Sequence, residues 1–212
     1  GNTAIDAMRY TVRPDYKFST AILNELDFTH HRVLAVTCHR RENYGEPMRN
    51  IMHAILRMVE ENPDVEVVYP VHLSPVVREC AFPILGSHPR IHLIEPIDVE
   101  EMHNLMARCF FVLTDSGGLQ EEAPALGKPV LVMRRETERP EAIAAGTAKL
   151  VGVEQETILR EANELLHSEA AYAKMAKAVN PYGDGHASER IVQAILWHFG
   201  RTADRPGDFC AQ

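Results

Sequence analysis

The sequence predicts an α/β protein built on a doubly wound, parallel, Rossmann-like sheet. Three observations point there. Short apolar runs alternate with amphipathic stretches from one end of the chain to the other. The runs are apolar at successive positions, as in strands covered on both faces. Residues 113–132 (LTDSGGLQEEAPALGKPVLV) spell strand, tight turn, helix, turn and strand in a single piece.

That piece organises the rest. Residues 110–114 form an apolar run of strand length, and Asp115 and Ser116 are helix N-cap types. Gly117 and Gly118 follow at once. A helix entered this way aims unpaired backbone N–H groups, and the positive end of its dipole, at the space above the strand. The two glycines lack the Cβ atoms that would hold a ligand off that backbone. An anion fits there, a phosphate above all. Glu122, further down the helix, is no phosphate ligand but suits the hydroxyls of a ribose diol. Gly127 stops the helix, and residues 129–133 form the next strand. A dense charged loop, residues 134–141, comes directly after it. In a parallel sheet both loops open at the carboxyl-terminal edge, where ligands bind.

The remaining elements follow in order. Residues 3–31 read as helical and partly linking, with Pro14 as a break and residues 21–26 as a short amphipathic piece. Residues 32–37 (RVLAVT) are a buried strand. Pro47 opens a helix in which Met48, Ile51, Met52, Ile55, Leu56 and Val59 keep the helical period. Residues 65–71 are the second strand. Pro75 begins a helix that ends at Gly86, with a kink or early stop expected at Pro83. Residues 91–94 are the third strand, and Asp98 caps a helix running to Arg108. After the charged loop, Pro140 opens a short helix ending at Gly146, and residues 148–151 make a last strand. Residues 154–166 and 170–179 are helical. NPYGDG, residues 180–185, is a turn. Ser188 is expected to cap a final helix with Val192, Ile195, Leu196 and Phe199 on one face. The count is about six strands.

Composition limits the partners. The chain has 212 residues, enough for one generous domain, with 45% hydrophobic and 25% charged residues. A net charge of −8 excludes a nucleic-acid or anionic-membrane surface as the main partner, so positive charge for a phosphate must be local. No apolar run approaches the roughly 20 residues of a membrane span. Cys38, Cys80, Cys109 and Cys210 lack CxxC or disulfide-like spacing. Reduced thiols and a cytoplasmic setting are expected. The 11 histidines fall into no metal-binding motif, so no metal is expected. The opening, Gly1-Asn2-Thr3 leading straight into helix, reads as a domain taken from a longer protein.

Three polar loops would carry the chemistry: residues 39–43 (HRREN), 72–74 (HLS) and 115–118 (DSGG), each after a strand. One mouth would hold imidazole, guanidinium and a bare helix N-terminus, enough for a diphosphate. Taken alone, each histidine could equally be a strand-end residue bonded to a neighbouring carbonyl.

TCHRRENYGEP, YPVHLSPVVRE, DSGGLQEEAPALGKPVLVMR, TERPEAIAAGTAKLVG and NPYGDGHASERI resemble, in order, the motif series of the non-hydrolysing UDP-N-acetylglucosamine 2-epimerases. GNTAIDA resembles the segment that leaves that family's first domain. The resemblance implies one half, the carboxyl-terminal one, of a GT-B architecture of two Rossmann-like domains. The divisions it suggests are an interdomain linker and helix (1–31), a UDP-binding domain (32–185), a carboxyl-terminal helix (186–200) and a tail (201–212). It implies interconversion of UDP-GlcNAc and UDP-ManNAc by elimination and re-addition of UDP, with no cofactor, in the supply of sugars for cell-surface polysaccharide.

By motif, Ser116, Gly117 and Gly118 would hold the phosphates, Glu122 the ribose, and Arg139 the nucleotide. His39 would be a catalytic or leaving-group-stabilising residue. Arg40 and His72 match positions that contact a second, regulatory UDP-GlcNAc in some members. Met102 stands where an aromatic residue near the uracil is common. Ser74 and Arg135 also depart from the pattern, Arg135 reversing a charge beside the nucleotide. The acid/base carboxylates belong to the family's first domain, so this chain alone is expected to be inactive. The expected partners are UDP-GlcNAc or UDP, the amino-terminal domain, and a second copy in a full-length homodimer. The rival readings are the donor half of a GT-B glycosyltransferase and a non-catalytic nucleotide-sugar-binding module. Because the last helix of such folds crosses back to the first domain, its apolar residues, with Trp197, are expected to be uncovered.

Overall fold

The computed structural model describes residues 1–210. A six-stranded sheet runs through it, all parallel: β1 (Arg32–Thr37), β2 (Val65–Pro70), β3 (Ile91–Ile94), β4 (Val112–Thr114), β5 (Val130–Val132) and β6 (Ala148–Leu150). The spatial order is β3-β2-β1-β4-β5-β6. The chain winds outward from β1 in one direction, then returns to lay β4 on its other side. The boundary between β1 and β4 is therefore the switch point, where successive connections diverge and leave a crevice at the carboxyl-terminal edge.

The expected two-faced burial is present. Leu34 and Val36 point into one core with α3 (Glu46–Glu61), α4 (Pro75–Leu85) and α8 (Gln155–His167), while Val33 and Ala35 point into the other. That second core takes Leu105 and Met106 of α5 (Val99–Arg108), Leu119 of α6 (Gly117–Glu122) and Ala142 of α7 (Pro140–Ala145). Alternation of side chains along β1 thus fills both layers at once. No helix among the described residues is long and apolar enough to cross a membrane.

Several local expectations shift for identifiable reasons. The strand expected over 110–114 is regular only over β4, although Phe110 N–H and the Phe111 carbonyl already bond to β1, at 2.6 and 3.3 Å. The helix after Gly117 tightens into a 3-10 turn over Ala123–Leu126, since Pro124 has no N–H to continue the α pattern. Gly127 then stops it with φ +67°, a left-handed conformation that suits glycine. Pro83 does not end its helix: α4 continues to Leu85, and Gly86 N–H closes it on the Phe82 carbonyl at 2.9 Å.

Ser188 is not the cap of the last helix, α10 (Ala187–His198). The cap comes from α1 (Thr3–Thr11), at the other end of the sequence. The buried carboxylate of Asp6 accepts from Ala187 N–H at 3.0 Å and from Ser188 N–H at 2.6 Å. Burial pushes the Asp6 carboxyl up, but the N–H donors of Ser188 and Ala187 outweigh it and hold it below its ordinary value. The outer face of α10 is uncovered as expected: Trp197 is 43% exposed and Ile195 51%. Cys38 and Cys109 are buried thiols, Cys80 is half-buried, and Cys210 is exposed in the tail.

Asp6→Ala is expected to fray α10 and to cost about 1–2 kcal/mol, the usual worth of a helix cap, read by chemical denaturation. The sign of the pH dependence follows from the lowered carboxyl. Its contribution is fully present above the ordinary aspartate value of about 3.9 and fades as pH falls through the lower folded value. An Asp6→Ala protein as stable as the parent at neutral pH would refute this role.

Candidate nucleotide-binding site at the sheet switch point

At the end of β4 the fully buried side chain of Asp115 draws the loop after β1 onto the loop after β4. Its Oδ2 accepts from the backbone N–H of His39 at 2.8 Å, from that of Arg40 at 2.7 Å, and from Asn43 Nδ2 at 3.2 Å. Asn43, itself buried, also donates to the Met133 carbonyl at 3.1 Å, which ties in the loop after β5. Asp115 is thus a brace between loops. Ser116 occupies the N-cap position of α6, but its side chain makes no capping hydrogen bond among the described residues. The first N–H groups of α6 remain without a side-chain cap.

Two guanidinium groups converge on this turn. A methyl group built on Gly117 would lie 3.7 Å from Arg40 Nη2 and 3.8 Å from Arg139 Nη2. Arg40 is steadied by its Nε, 3.3 Å from the Asp115 carbonyl. Arg139 donates through Nε to Glu121, whose carboxylate also accepts from Asn2 Nδ2. The charged loop is docked rather than free. Arg139 N–H donates to Thr137 Oγ1 at 3.1 Å, Thr137 Oγ1 to buried Gln120 at 2.6 Å, and Gln120 Nε2 to the Ser116 carbonyl at 3.1 Å.

Arg134, 5% exposed, pairs with Glu42 of the first loop and Glu138 of its own. The hydrogen bond from Arg134 holds the Glu138 carboxyl at about 2. A cavity of about 250 Å³ opens beside it, lined by Glu42, Arg134, Arg135 and Glu136 among others. The charge reversal expected from Arg135 is directed elsewhere: that side chain is 72% exposed and reaches Glu154 at 3.3 Å.

His39 and His72 stack, with ring centroids 5.2 Å apart and planes 12° from parallel. His72 Nδ1 accepts the Ser74 N–H at 3.0 Å, so the proton of neutral His72 sits on Nε2. Burial lowers the pKa of His39, His72 and Arg40 lower it further, and Asp115 opposes them. Glu122 Oε2 lies 3.5 Å from Nε2 of buried His103, whose Nδ1 bonds Thr11 Oγ1 at 2.8 Å.

The residues singled out in the sequence therefore separate into groups. Ser116, Gly117, Gly118, Glu122 and Arg139 share α6 and its approach. Arg40 joins them over Gly117 instead of lying apart with His72. His39 and His72 form their own pair. Met102 is half-buried on α5, packed against the cluster that contains Leu119 and Ala123. Asp115 and Asn43 lay in loops expected to carry the chemistry without being given a role, and Gln120, Glu121 and Asn2, which the structure also ties to this region, were given none. Asp115 carried a signal, a carboxylate at a strand end, but it read as a helix cap. The contact of Asn2 with Glu121 spans 119 positions and leaves no local pattern.

The UDP-N-acetylglucosamine 2-epimerase family profile matches residues 1–196. The chain belongs to the UDP-N-acetylglucosamine 2-epimerase family. A Bacillus subtilis UDP-N-acetylglucosamine 2-epimerase is 53% identical over 209 residues, a match covering 99% of this chain and 54% of the relative. Among solved structures, the Staphylococcus aureus MnaA–UDP co-structure is 50% identical with TM-score 0.93, over 99% of this chain and 56% of that one. The Neisseria meningitidis UDP-GlcNAc 2-epimerase bound to UDP-GlcNAc is 43% identical with TM-score 0.85, over 93% and 54%.

This epimerase-family chain thus spans about half the length of the relatives it matches. The C-terminal domain of a Francisella tularensis group 1 glycosyl transferase is similar in fold alone, at 15% identity and TM-score 0.61, and 96% of that domain is covered. The fold of this epimerase-family chain is accordingly that of a GT-B carboxyl-terminal domain.

Gly117→Ala tests the convergence. The added methyl meets only ordinary van der Waals distances and sits in helical backbone, so the melting temperature should stay the same or rise slightly. It also occupies the space between the two guanidinium groups, so binding of a diphosphate should weaken at least about tenfold, or about 1.4 kcal/mol. Unchanged diphosphate affinity would show that anions do not enter here.

Proposed function

We propose that this chain is the UDP-holding half of an enzyme that interconverts UDP-GlcNAc and UDP-ManNAc. The observation that carries the reading is the convergence of Arg40 and Arg139 on Gly117 at a helix start without a side-chain cap. Two fixed guanidinium groups and backbone N–H donors suit the charge that a departing diphosphate gathers. The relatives with bound UDP and UDP-GlcNAc support that ligand class.

In the proposed reaction the C2–H proton is removed and the C1–O bond to UDP breaks. A 2-acetamidoglucal and free UDP result. UDP then adds back to C1 as a proton arrives at C2 from the opposite face. Ser116, Gly117, Gly118, Arg139 and Arg40 hold the diphosphate, Glu122 holds the ribose hydroxyls, and His39 steadies the leaving oxygen. Arg40 is assigned here because it shares Gly117 with Arg139; a second, regulatory ligand would then rest more on His72. Met102 is proposed to line the uracil side. Proton transfer at C2 needs acid/base groups on both faces of the sugar. We assign these to the other half of the two-domain protein, which would also cover the apolar face of α10. The whole enzyme is proposed to be a cytoplasmic homodimer.

Calorimetric titration with UDP, and with uridine as control, tests the ligand. UDP should bind and uridine should not, because the site reads the diphosphate. Arg139→Ala should weaken UDP by about 10- to 100-fold, the loss of one charge-assisted contact. Equal affinity for UDP and uridine would contradict the reading. The chain alone should release no C2 hydrogen of UDP-GlcNAc into D2O; exchange by this chain would place the acid/base groups here after all.

A further inference from the structure

Four buried side-chain polar atoms have no hydrogen-bond partner among the described residues, and two of them face candidate-site side chains. His103 Nε2 looks toward Glu122, and Asp115 Oδ1 looks toward His39 Nδ1 at 3.7 Å. The second is the more consequential. Asp115 is fully buried, and its other oxygen is already occupied by three donors. A buried carboxylate oxygen without a donor is costly, and the imidazole of His39 is the group placed to supply one. At 3.7 Å the contact is longer than a hydrogen bond, and no other donor reaches this oxygen among the described residues.

We propose that Asp115 is the positioning residue for His39: its free Oδ1 takes the Nδ1–H, fixes the tautomer and turns Nε2 to the open mouth. His72 completes the arrangement. Its Nδ1 is engaged by the Ser74 N–H, and its ring lies flat against His39. One imidazole of the stacked pair thus has its Nδ1 engaged by the backbone, and the other faces a carboxylate. The charged and titratable groups facing His39 are Asp115 behind it, His72 against its face and Arg40 beside it. The Cys38 thiol, next in sequence, is buried and pushed well above its ordinary value, so it stays neutral. In the neutral ring, the single proton of His39 then sits on Nδ1, toward Asp115. This assignment rests on the functional reading above only for what Nε2 does, not for where the proton sits.

The test is the tautomer of His39, read by nitrogen-15 NMR of the 212-residue chain at about pH 8, above the ordinary histidine range. The parent should carry the proton on Nδ1. In Asp115→Asn the carbonyl of the new amide can keep the His39 and Arg40 N–H bonds, which leaves its NH2 facing the ring. The proton of His39 should then move to Nε2, and its titration midpoint should fall as the carboxylate is lost. His72→Phe keeps a flat ring on the stack and should leave the Nδ1 proton in place. A merely structural role for Asp115 would alter stability without moving the proton between nitrogens.

A parent with the proton on Nε2 overturns the proposal, as does an unchanged tautomer in a folded Asp115→Asn protein. If that variant does not fold, the parent and His72→Phe spectra decide alone. The same samples titrated with UDP separate the two claims. A chain that keeps the Nδ1 proton but fails to bind UDP, alone or within the full-length protein, retains the pair and loses the proposed function. A chain that binds UDP with the proton on Nε2 retains the function and loses the pair.

Discussion

The carboxylate of Asp115 holds together two loops that leave the sheet at its switch point, where connections naturally diverge. Burying that charge costs several kcal/mol, and the three donors on Oδ2 are what offset it. The exchange is worthwhile because the donors are the backbone of His39 and Arg40 and the side chain of Asn43. One carboxylate thereby fixes the start of the His39 loop, the approach of Arg40 to Gly117 and, through Asn43, the exit of β5. Were it absent, two backbone N–H groups and an amide would be left in a dry crevice, at about 1–3 kcal/mol apiece. The loop would then have reason to turn toward water.

A second brace is ionic. Arg134 is pinned between Glu42 and Glu138, so the loop after β1 and the loop after β5 move as one body. Arg139 is held in turn by Glu121, which also takes the side chain of Asn2. The result is a set of guanidinium groups fixed in place on a chain whose net charge is −8. Because Arg139 is already oriented by a carboxylate and Arg40 by a backbone carbonyl, little rotamer entropy remains to be lost if an anion arrives. The histidine pair flanks these groups, and the apolar face of α10 stays open on a helix capped by Asp6.

The sheet, its six strands and the alternation with helices were legible because burial on both faces writes continuous apolar runs into short segments such as RVLAVT. The tight turn into α6 was legible because Ser116-Gly117-Gly118 sits between a strand and a helix. The harder parts were long-range. Asp115 resembled a local cap, yet its partners lie 72 to 76 positions earlier. The Ser188 cap was misplaced for the same reason, since its carboxylate comes from Asp6, 181 and 182 residues away. The positions of Arg40, over Gly117, and His72, stacked on His39, could not be read from the motifs, because a loop's direction is set by what braces it and not by its spelling.

The most direct measurement is a proton–nitrogen correlation spectrum of the chain titrated with UDP, followed at the backbone amides of Gly117 and Gly118 and at the side-chain Nε–H of Arg40 and Arg139. The account expects these signals to shift together and to saturate with UDP, while uridine leaves them in place. Shifts confined to the cavity beside Arg134 and Glu136, or none with either this chain or the full-length protein, would contradict it.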